Sequence, residues 1–442
     1  MHRLTIPIVV LASLGMSYYH LGIFIPHAIA TRTANGSRGG YSFGNDFYPI
    51  WLTSREALLQ HRNPYDPEMT REIQTGLFGR PLDTRNPAAA SAHYREFAYP
   101  AYVDLLFWPL GILPFSVVRF ALAIALTVLT ALSISLWMRA LQLTASANFI
   151  AITVMLTLSS YSVLEGLFAD QPGLIVGFLL PAACVALVDN CFFLAGSLFA
   201  FTFIKPQVSI VVAAYLLLWS ISRWRMRRGF VLGLISWTAV LVTLSLTVWP
   251  HWIADWLHVL SGYGRYSPPP LLTYSLGPRL GQYLGPPLNF LLLAAAVPLA
   301  WKMRRLDAAS PSFALTISLL LALTSITLLP GQAVYDHVIL LPGILLVACT
   351  WRKAAGSRSF RMILIVAALV LFWQWITAVP LLAAQRFIPD RIFFGRGLWL
   401  VPFHAAASVP LAIFGVLGYM LAENLRHKRV SPKTDLIPAR HA

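Results

Sequence analysis

Apolar runs long enough to cross a lipid bilayer recur along the chain, from Leu4 to the stretch between Leu398 and Leu421. A transmembrane helix needs roughly 17 to 25 such residues to cover about 30 Å of hydrocarbon. The runs are continuously apolar and do not alternate with polar residues, which excludes membrane-spanning sheets. Hydrophobic residues make up 57% of the chain, charged residues 11%, and the mean hydropathy is +0.68. These features predict an all-α, polytopic membrane protein.

The net charge of +16 is concentrated in short loops between the apolar runs and in the C-terminal tail. The basic clusters are Arg223, Arg225, Arg227 and Arg228; Lys302, Arg304 and Arg305; Arg352, Lys353, Arg358 and Arg361; and Arg426, Lys428, Arg429, Lys433 and Arg440. This distribution follows the positive-inside rule, so we expect these loops and the basic tail (426–442) to face the cytoplasm. Because the charges mark topology and do not cover one folded face, nucleic acid is not expected as a partner.

The alternation of apolar runs and basic loops predicts about twelve crossings within a single domain (1–425). Both termini are then cytoplasmic, and the protein is a multi-pass protein of the cell (inner or plasma) membrane, in contact with membrane lipids. Between 99 and 221 two interpretations are open. The Pro-rich piece 99–114 is re-entrant or interfacial, which leaves Lys205 outside, or 191–221 is one broken helix with Lys205 in mid-membrane. The first interpretation buries less charge.

The long hydrophilic stretch (27–98) is predicted to be the first extracytoplasmic loop. Within it, residues 49–61 place apolar side chains on one helical stripe, which predicts a short helix lying flat on the bilayer. Asp46 precedes that helix, just beyond the first apolar run. A carboxylate at the membrane boundary can take a proton from an acceptor hydroxyl, so Asp46 is the candidate catalytic base. The structural alternative is that Asp46 caps the helix beginning near Pro49.

Short motifs occur in a fixed order along most of the chain: Asn45-Asp46-Phe47-Tyr48, Asn63-Pro64-Tyr65-Asp66, Phe97-Ala98-Tyr99-Pro100, Leu105 through Leu110, Leu113-Pro114, Asp170-Gln171, Lys205-Pro206-Gln207, and Tyr335-Asp336-His337 leading into Leu340-Leu341-Pro342. Their order and spacing resemble glycosyltransferase family 87 of the GT-C superfamily. The resemblance implies a GT-C-like bundle and an integral membrane, inverting glycosyltransferase. It also implies transfer of a sugar, plausibly mannose, from a polyprenyl-phosphate donor to a lipid-linked or glycan acceptor on the non-cytoplasmic face. In such enzymes the first-loop aspartate is the presumed base, a role that falls on Asp46.

Other residues are candidates for binding the substrate or its phosphate. Lys205 lies among apolar residues and needs an anionic partner or a polar cavity, although a lysine near a helix end also snorkels to the interface. His337, in reach of the lipid headgroup plane, can hold the phosphate or its sugar, or can simply pair with Asp336. Asp170, next to Gln171, can serve an acceptor site or the start of a helix.

Arg265 lies in a loop with several tyrosines. Its guanidinium suits phosphate and the tyrosine rings suit sugars, but an interfacial aromatic belt explains the same composition.

The sequence implies no metal and no cofactor. The first outer loop has no Asp-x-Asp pair, and no His, Cys and carboxylate cluster has metal-ligand spacing. The chain also has no Gly-rich phosphate loop, which argues against a nucleotide-sugar donor and in favour of a lipid-linked one.

Two functions from other classes compete with the enzyme. A transporter or flippase of lipid-linked sugars is expected to show inverted repeats and charges near the bilayer midplane, and neither is evident in the sequence. A non-catalytic assembly factor is the third possibility.

Overall fold

The computed structural model describes residues 5–34, 41–82, 95–264, 267–354 and 358–430. Within these ranges the chain is helical and has no strand, apart from one isolated bridge between Pro270 and Pro330. The predicted all-α polytopic class is therefore confirmed. Arg265 lies outside the described residues.

The α-helices are numbered here in chain order. They are α1 (Thr5–Tyr18), α2 (Ile25–Ala34), α3 (Tyr48–Gln60), α4 (Pro67–Phe78), α5 (Tyr102–Gly111), α6 (Phe115–Ala140), α7 (Ala147–Leu158), α8 (Tyr161–Phe168), α9 (Gly173–Val188), α10 (Phe192–Phe201), α11 (Pro206–Ile221), α12 (Trp224–Val248), α13 (Trp252–Tyr263), α14 (Leu271–Ser275), α15 (Gly277–Met303), α16 (Pro311–Thr327), α17 (Leu341–Ala354), α18 (Arg358–Ala384), α19 (Asp390–Phe393) and α20 (Val409–Val430). A π-helical segment (Tyr19–Phe24) joins α1 to α2, and 3₁₀ segments cover Thr202–Ile204, Val334–Leu340, Leu398–Phe403 and Ala406–Ser408.

Six helical stretches in the described part are long and apolar enough to cross a membrane, or seven if the bent pair α7 and α8 counts as one span. Five further apolar helices have 10–17 residues: Gly173–Val188, Phe192–Ile204, Pro206–Ile221, Pro311–Thr327 and Val334–Thr350. The predicted total of about twelve crossings is reached only when the bent pair and these shorter helices are included.

Helix α16 is the centre of the bundle. Every residue from Ser312 to Thr327 is buried, as expected for a helix that is apolar on all sides. Most of its hydroxyl groups bond back to carbonyls of the preceding turn, for example Thr316 to Ser312 and Thr324 to Leu320, which satisfies these polar groups inside the packed bundle. Helices α15 and α18 instead expose most of their apolar surface, as lipid-facing helices do.

The loops that precede α12 and α16 meet at one end of the bundle, which we call the basic end. Arg227 is fully buried there and stacks on Trp219 at 3.6 Å. Its guanidinium donates to the backbone carbonyls of Trp219, Arg304 and Leu306. The interpretation of Arg227 as one of several loop charges facing the cytoplasm is therefore incomplete, because this arginine fastens two loops together inside the protein.

The helix lengths and breaks between 99 and 221 agree with the first of the two interpretations. Helix α5 has 10 residues, about 15 Å at 1.5 Å per residue, which is too short to cross a bilayer. A helix break at Lys205 separates α10 from α11, because Pro206 supplies no N–H and clashes with a preceding turn. Asp189, on the far side of α9, pairs with Arg139, and Gly196 packs against Phe230 of α12. Phe192, where α10 begins, packs against Trp219 of the basic end, and α10 leads away from that end toward Lys205. Lys205 therefore lies at the opposite end, which we call the upper end.

Candidate functional site

The upper end encloses a cavity of about 680 Å³. Its walls come from segments distant in sequence: the turn before α3, the segment 95–100, the α10–α11 break, the loop after α13 and the 3₁₀ segment Val334–Leu340. The charged and amide side chains that line it are Asp46, Arg95, Glu96, Gln171, Lys205, Gln207 and Asp336. Its size is that of a small-molecule site with a few convergent polar groups.

Asp46 is held at the cavity by a turn that is hydrogen-bonded to the end of α8. Gly44 has φ +78°, a conformation that favours glycine, and its N–H donates to Phe168 O at 2.8 Å. Asp46 N–H donates to Ala169 O at 3.1 Å. The alternative of a helix cap is not supported, because α3 begins at Tyr48 without any side-chain cap.

Both carboxylate oxygens of Asp46 are engaged in this structure. Arg95 Nη1 lies 2.7 Å from Oδ1, and Gln171 Nε2 lies 2.5 Å from Oδ2. The side chain is 8% exposed, so it faces the cavity from a largely desolvated position. Asp46 is therefore a buried, oriented carboxylate at the edge of the cavity.

Lys205 occupies the break between α10 and α11, where its side chain is buried. Its Nζ lies 2.7 Å and 2.9 Å from the two oxygens of Asp336 and 3.1 Å from Gln171 Oε1. It also lies 5.0 Å from the centre of the Tyr335 ring. The anionic partner expected for this lysine from the sequence is therefore the carboxylate of Asp336.

Gln171 connects the two ion pairs. A carboxylate only accepts hydrogen bonds and an ammonium only donates them, so the amide must turn its nitrogen to Asp46 and its oxygen to Lys205. The result is one continuous network along the cavity wall, in the order Arg95, Asp46, Gln171, Lys205 and Asp336. Displacement of one member is expected to disturb its neighbours.

Asp170 points away from this cavity, although it precedes Gln171. Its backbone is left-handed at φ 54°, and both carboxylate oxygens are buried without a hydrogen-bond partner among the described residues. Burial raises the pKa of Asp170 to about 8, and the charge of Arg119 only partly opposes that rise. The carboxyl group lies beside Gly44, so Asp170 supports the Asp46 turn from behind.

His337 lies on the other side of the 3₁₀ segment Val334–Leu340. Tyr335 and Asp336 face the cavity, whereas His337 and Val338 line a separate apolar crevice of about 240 Å³. Helices α7, α17 and α18 and the residues 402–409 form its other walls. The imidazole is buried and has no hydrogen-bond partner in the described part of the chain. The structure therefore brings Asp46, Gln171 and Lys205 together but does not bring His337 to them.

Sequence reasoning overlooked Arg95 and Glu96, which follow the undescribed residues 83–94 and carry no motif. Burial raises the pKa of the Glu96 carboxyl to about 7. Three tyrosines, Tyr99, Tyr263 and Tyr335, also line the cavity and offer aromatic faces of the kind that bind sugar rings. Within the described residues, no group of three or more His, Cys, Asp or Glu is placed to hold a metal ion.

Residues 97–330 match the family model of glycosyltransferase family 87, which is more than half of the chain. The matched range contains Gln171 and Lys205 but not Asp46, Arg95 or Asp336. Comparison with curated proteins and with solved structures gave no match.

Proposed function

Because the chain belongs to glycosyltransferase family 87 and is therefore a membrane glycosyltransferase, we propose that it transfers a hexose, with mannose as the first candidate, from a polyprenyl phosphate to a lipid-linked or glycan acceptor. The observation that carries this proposal is the position of Asp46, buried beside a polar cavity and bonded to Arg95 and Gln171. We place the reaction on the non-cytoplasmic side, since the cavity lies opposite the basic end.

In the proposed reaction the acceptor oxygen attacks the anomeric carbon while Asp46 takes its proton, and the bond from that carbon to the phosphate oxygen breaks. A single displacement of this kind inverts the anomeric configuration. Two cationic side chains, Lys205 and Arg95, line the cavity where the departing phosphate would lie, and positive charge there favours the phosphate without a divalent ion. A GT-C type of mechanism with no cofactor is consistent with these groups.

The lipid chain of the donor is proposed to lie in the apolar crevice next to His337. Helices α7 and α17 face each other there with apolar stripes at helical spacing, Phe149, Ile152 and Leu156 on one and Leu341, Ile344, Leu345 and Ala348 on the other. The crevice and the cavity lie on the two sides of the 3₁₀ segment Val334–Leu340, and the proposal requires the lipid chain to pass around this segment.

The test is transfer by purified protein in liposomes, supplied with polyprenyl-phosphate mannose and a lipid acceptor. Asp46→Asn is expected to lower turnover by about 10² to 10⁴-fold, the usual contribution of a general base. Asp66→Asn is the matched control, because Asp66 lies in the same loop, exposed and away from the cavity. The product should have inverted configuration, and EDTA should leave the rate unchanged. Full activity of Asp46→Asn would refute the assignment, and a transporter would be little affected by it.

A further inference from the structure

Two cations line the cavity, and they differ in how many donors remain unused. The Lys205 ammonium has three N–H groups and three oxygens within 3.1 Å, two from Asp336 and one from Gln171. The Arg95 guanidinium has five N–H groups, and within the described residues it makes one hydrogen bond, from Nη1 to Asp46. Lys205 is thus already saturated by the protein, whereas most of the Arg95 donors remain available.

The unused donors of Arg95 are accessible from the cavity. Its side chain is 29% exposed and lines the cavity wall. The charged and titratable groups that face it are Asp46 from the α3 turn, Tyr99 from the segment 95–100, Tyr263 from α13 and Tyr335 from the 3₁₀ segment. Burial lowers the pKa of Arg95, but the Asp46 charge, with Tyr335 and Tyr263, more than offsets this, so the net shift is upward and the cation persists. A planar fork with free donors is well matched to phosphate oxygens.

We propose that Arg95 binds the catalytic base and the phosphate in turn. It pairs with Asp46 in the resting enzyme and pairs with the departing polyprenyl phosphate when Asp46 takes the proton. This inference rests on the proposed function and names the phosphate ligand of the same site.

The charge balance of the reaction explains why one arginine serves both groups. Before transfer, Asp46 carries one negative charge and the phosphodiester of the donor carries one. The acceptor O–H bond breaks, its proton goes to Asp46, and the electron pair of the broken carbon–oxygen bond stays on the phosphate. Afterwards Asp46 is neutral and the polyprenyl phosphate is a dianion. One unit of negative charge has therefore moved from the partner of Arg95 to the leaving group.

Release of the product follows from the same exchange. When the proton leaves Asp46, the carboxylate again competes for Arg95, at 2.7 Å in the resting structure, and the phosphate loses its ligand. Lys205, held by Asp336 and Gln171, cannot make this exchange without breaking its own ion pair. Arg95 is thus expected to couple the protonation of the base to the retention of the phosphate.

The test measures binding of a short-chain prenyl monophosphate to protein in detergent, without any turnover. Asp46→Asn mimics the protonated base and frees Arg95, so it is expected to bind the phosphate about tenfold more tightly than wild type, a typical coupling between linked sites. In Asp46→Asn/Arg95→Gln that gain should disappear. Arg95→Lys should retain part of the affinity, since lysine keeps the charge but not the fork.

The control is Arg62→Gln, which removes an arginine–carboxylate pair with Glu72 in the same loop but outside the cavity. It should bind the prenyl monophosphate as tightly as wild type does. The melting temperature of each variant is measured alongside, so that a change in affinity is not confused with loss of the fold. No gain in Asp46→Asn, or a gain that survives the loss of Arg95, would overturn the inference while the transferase assay still stands. If wild type binds no prenyl phosphate at all, the polyprenyl-phosphate donor and this inference both fail.

Discussion

Lys205 and Asp336 form a buried ion pair between segments 131 residues apart, with Nζ 2.7 Å and 2.9 Å from the two carboxylate oxygens. Removal of one partner leaves an uncompensated charge in a desolvated site, at a cost of about 3 to 5 kcal/mol, whereas exchange of both for apolar residues is often neutral. We therefore expect Lys205→Met and Asp336→Leu each to lower the apparent melting temperature. The double variant Lys205→Met/Asp336→Leu should recover much of it.

Turnover separates the structural role of this pair from its functional role. All three variants should have little transferase activity. Without Lys205, Gln171 loses the donor that orients its amide toward Asp46, and in Asp336→Leu the ammonium loses the carboxylate that holds it beside Gln171. Melting temperatures in detergent and initial rates in liposomes check both statements. A double variant no more stable than the single ones, or one with wild-type turnover, would contradict them.

Gly173 allows the Lys205–Asp336 pair to approach the start of α9. A methyl group added there would overlap Asp336 Oδ1 and lie 3.4 Å from Lys205 Nζ. Gly173→Ala is expected to displace the Asp336 carboxylate, with a stability loss of about 1 to 3 kcal/mol from overpacking and a large loss of turnover. Gly415→Ala in α20 is the control, since nothing lies within 4 Å of its added methyl group. Equal effects of the two substitutions on turnover would refute this explanation.

Asp170 gives the protein a stability that depends on pH. Its pKa is raised by burial from 3.8 to about 8, so the folded protein holds a proton that the unfolded chain releases near pH 4. This contribution is complete below pH 4 and declines as pH rises through 8. The apparent melting temperature should therefore fall between about pH 4 and pH 8 in wild type and fall less in Asp170→Asn.

Asparagine is a suitable probe at this position because it is neutral, similar in shape and tolerant of the left-handed backbone. Since Asp170 lies outside the cavity, Asp170→Asn should also retain turnover. A steep pH dependence that persists in the variant would show that another group causes it. A loss of donor affinity would favour the original expectation that Asp170 binds substrate.

Two features of the helices could be predicted because they depend on local patterns. The break at Lys205-Pro206 and the short helix predicted at 49–61, observed as Tyr48–Gln60, follow from proline and from helical periodicity over a few residues. The sequence also predicted that Lys205 has an anionic partner or a polar cavity, since an unpaired charge in an apolar run is unfavourable.

The partners of the charged site residues could not be predicted from the sequence, because they depend on contacts between distant segments. Arg95 and Asp46 are 49 residues apart, and no local pattern marks the arginine. His337 and Asp336 are adjacent, yet the 3₁₀ segment turns them to opposite sides, a direction that sequence spacing alone does not specify. Arg227 resembled a topological loop charge until packing showed it to be fully buried.

The apolar crevice beside His337 gives a last prediction, which concerns the lipid chain of the donor. Ala406 lines this crevice, whereas the adjacent Ala407 does not. Ala406→Trp should fill part of the roughly 240 Å³ and raise KM for a long-chain polyprenyl donor about tenfold with little change in kcat, since only uniform binding is lost. Ala407→Trp should leave KM near the wild-type value. For a donor with one or two prenyl units, both substitutions should change KM by the same small amount, because the short chain does not reach the filled region. If Ala406→Trp raises KM for short and long donors equally, the chain does not occupy this crevice, and the defect lies in the neighbouring 3₁₀ segment that carries Asp336.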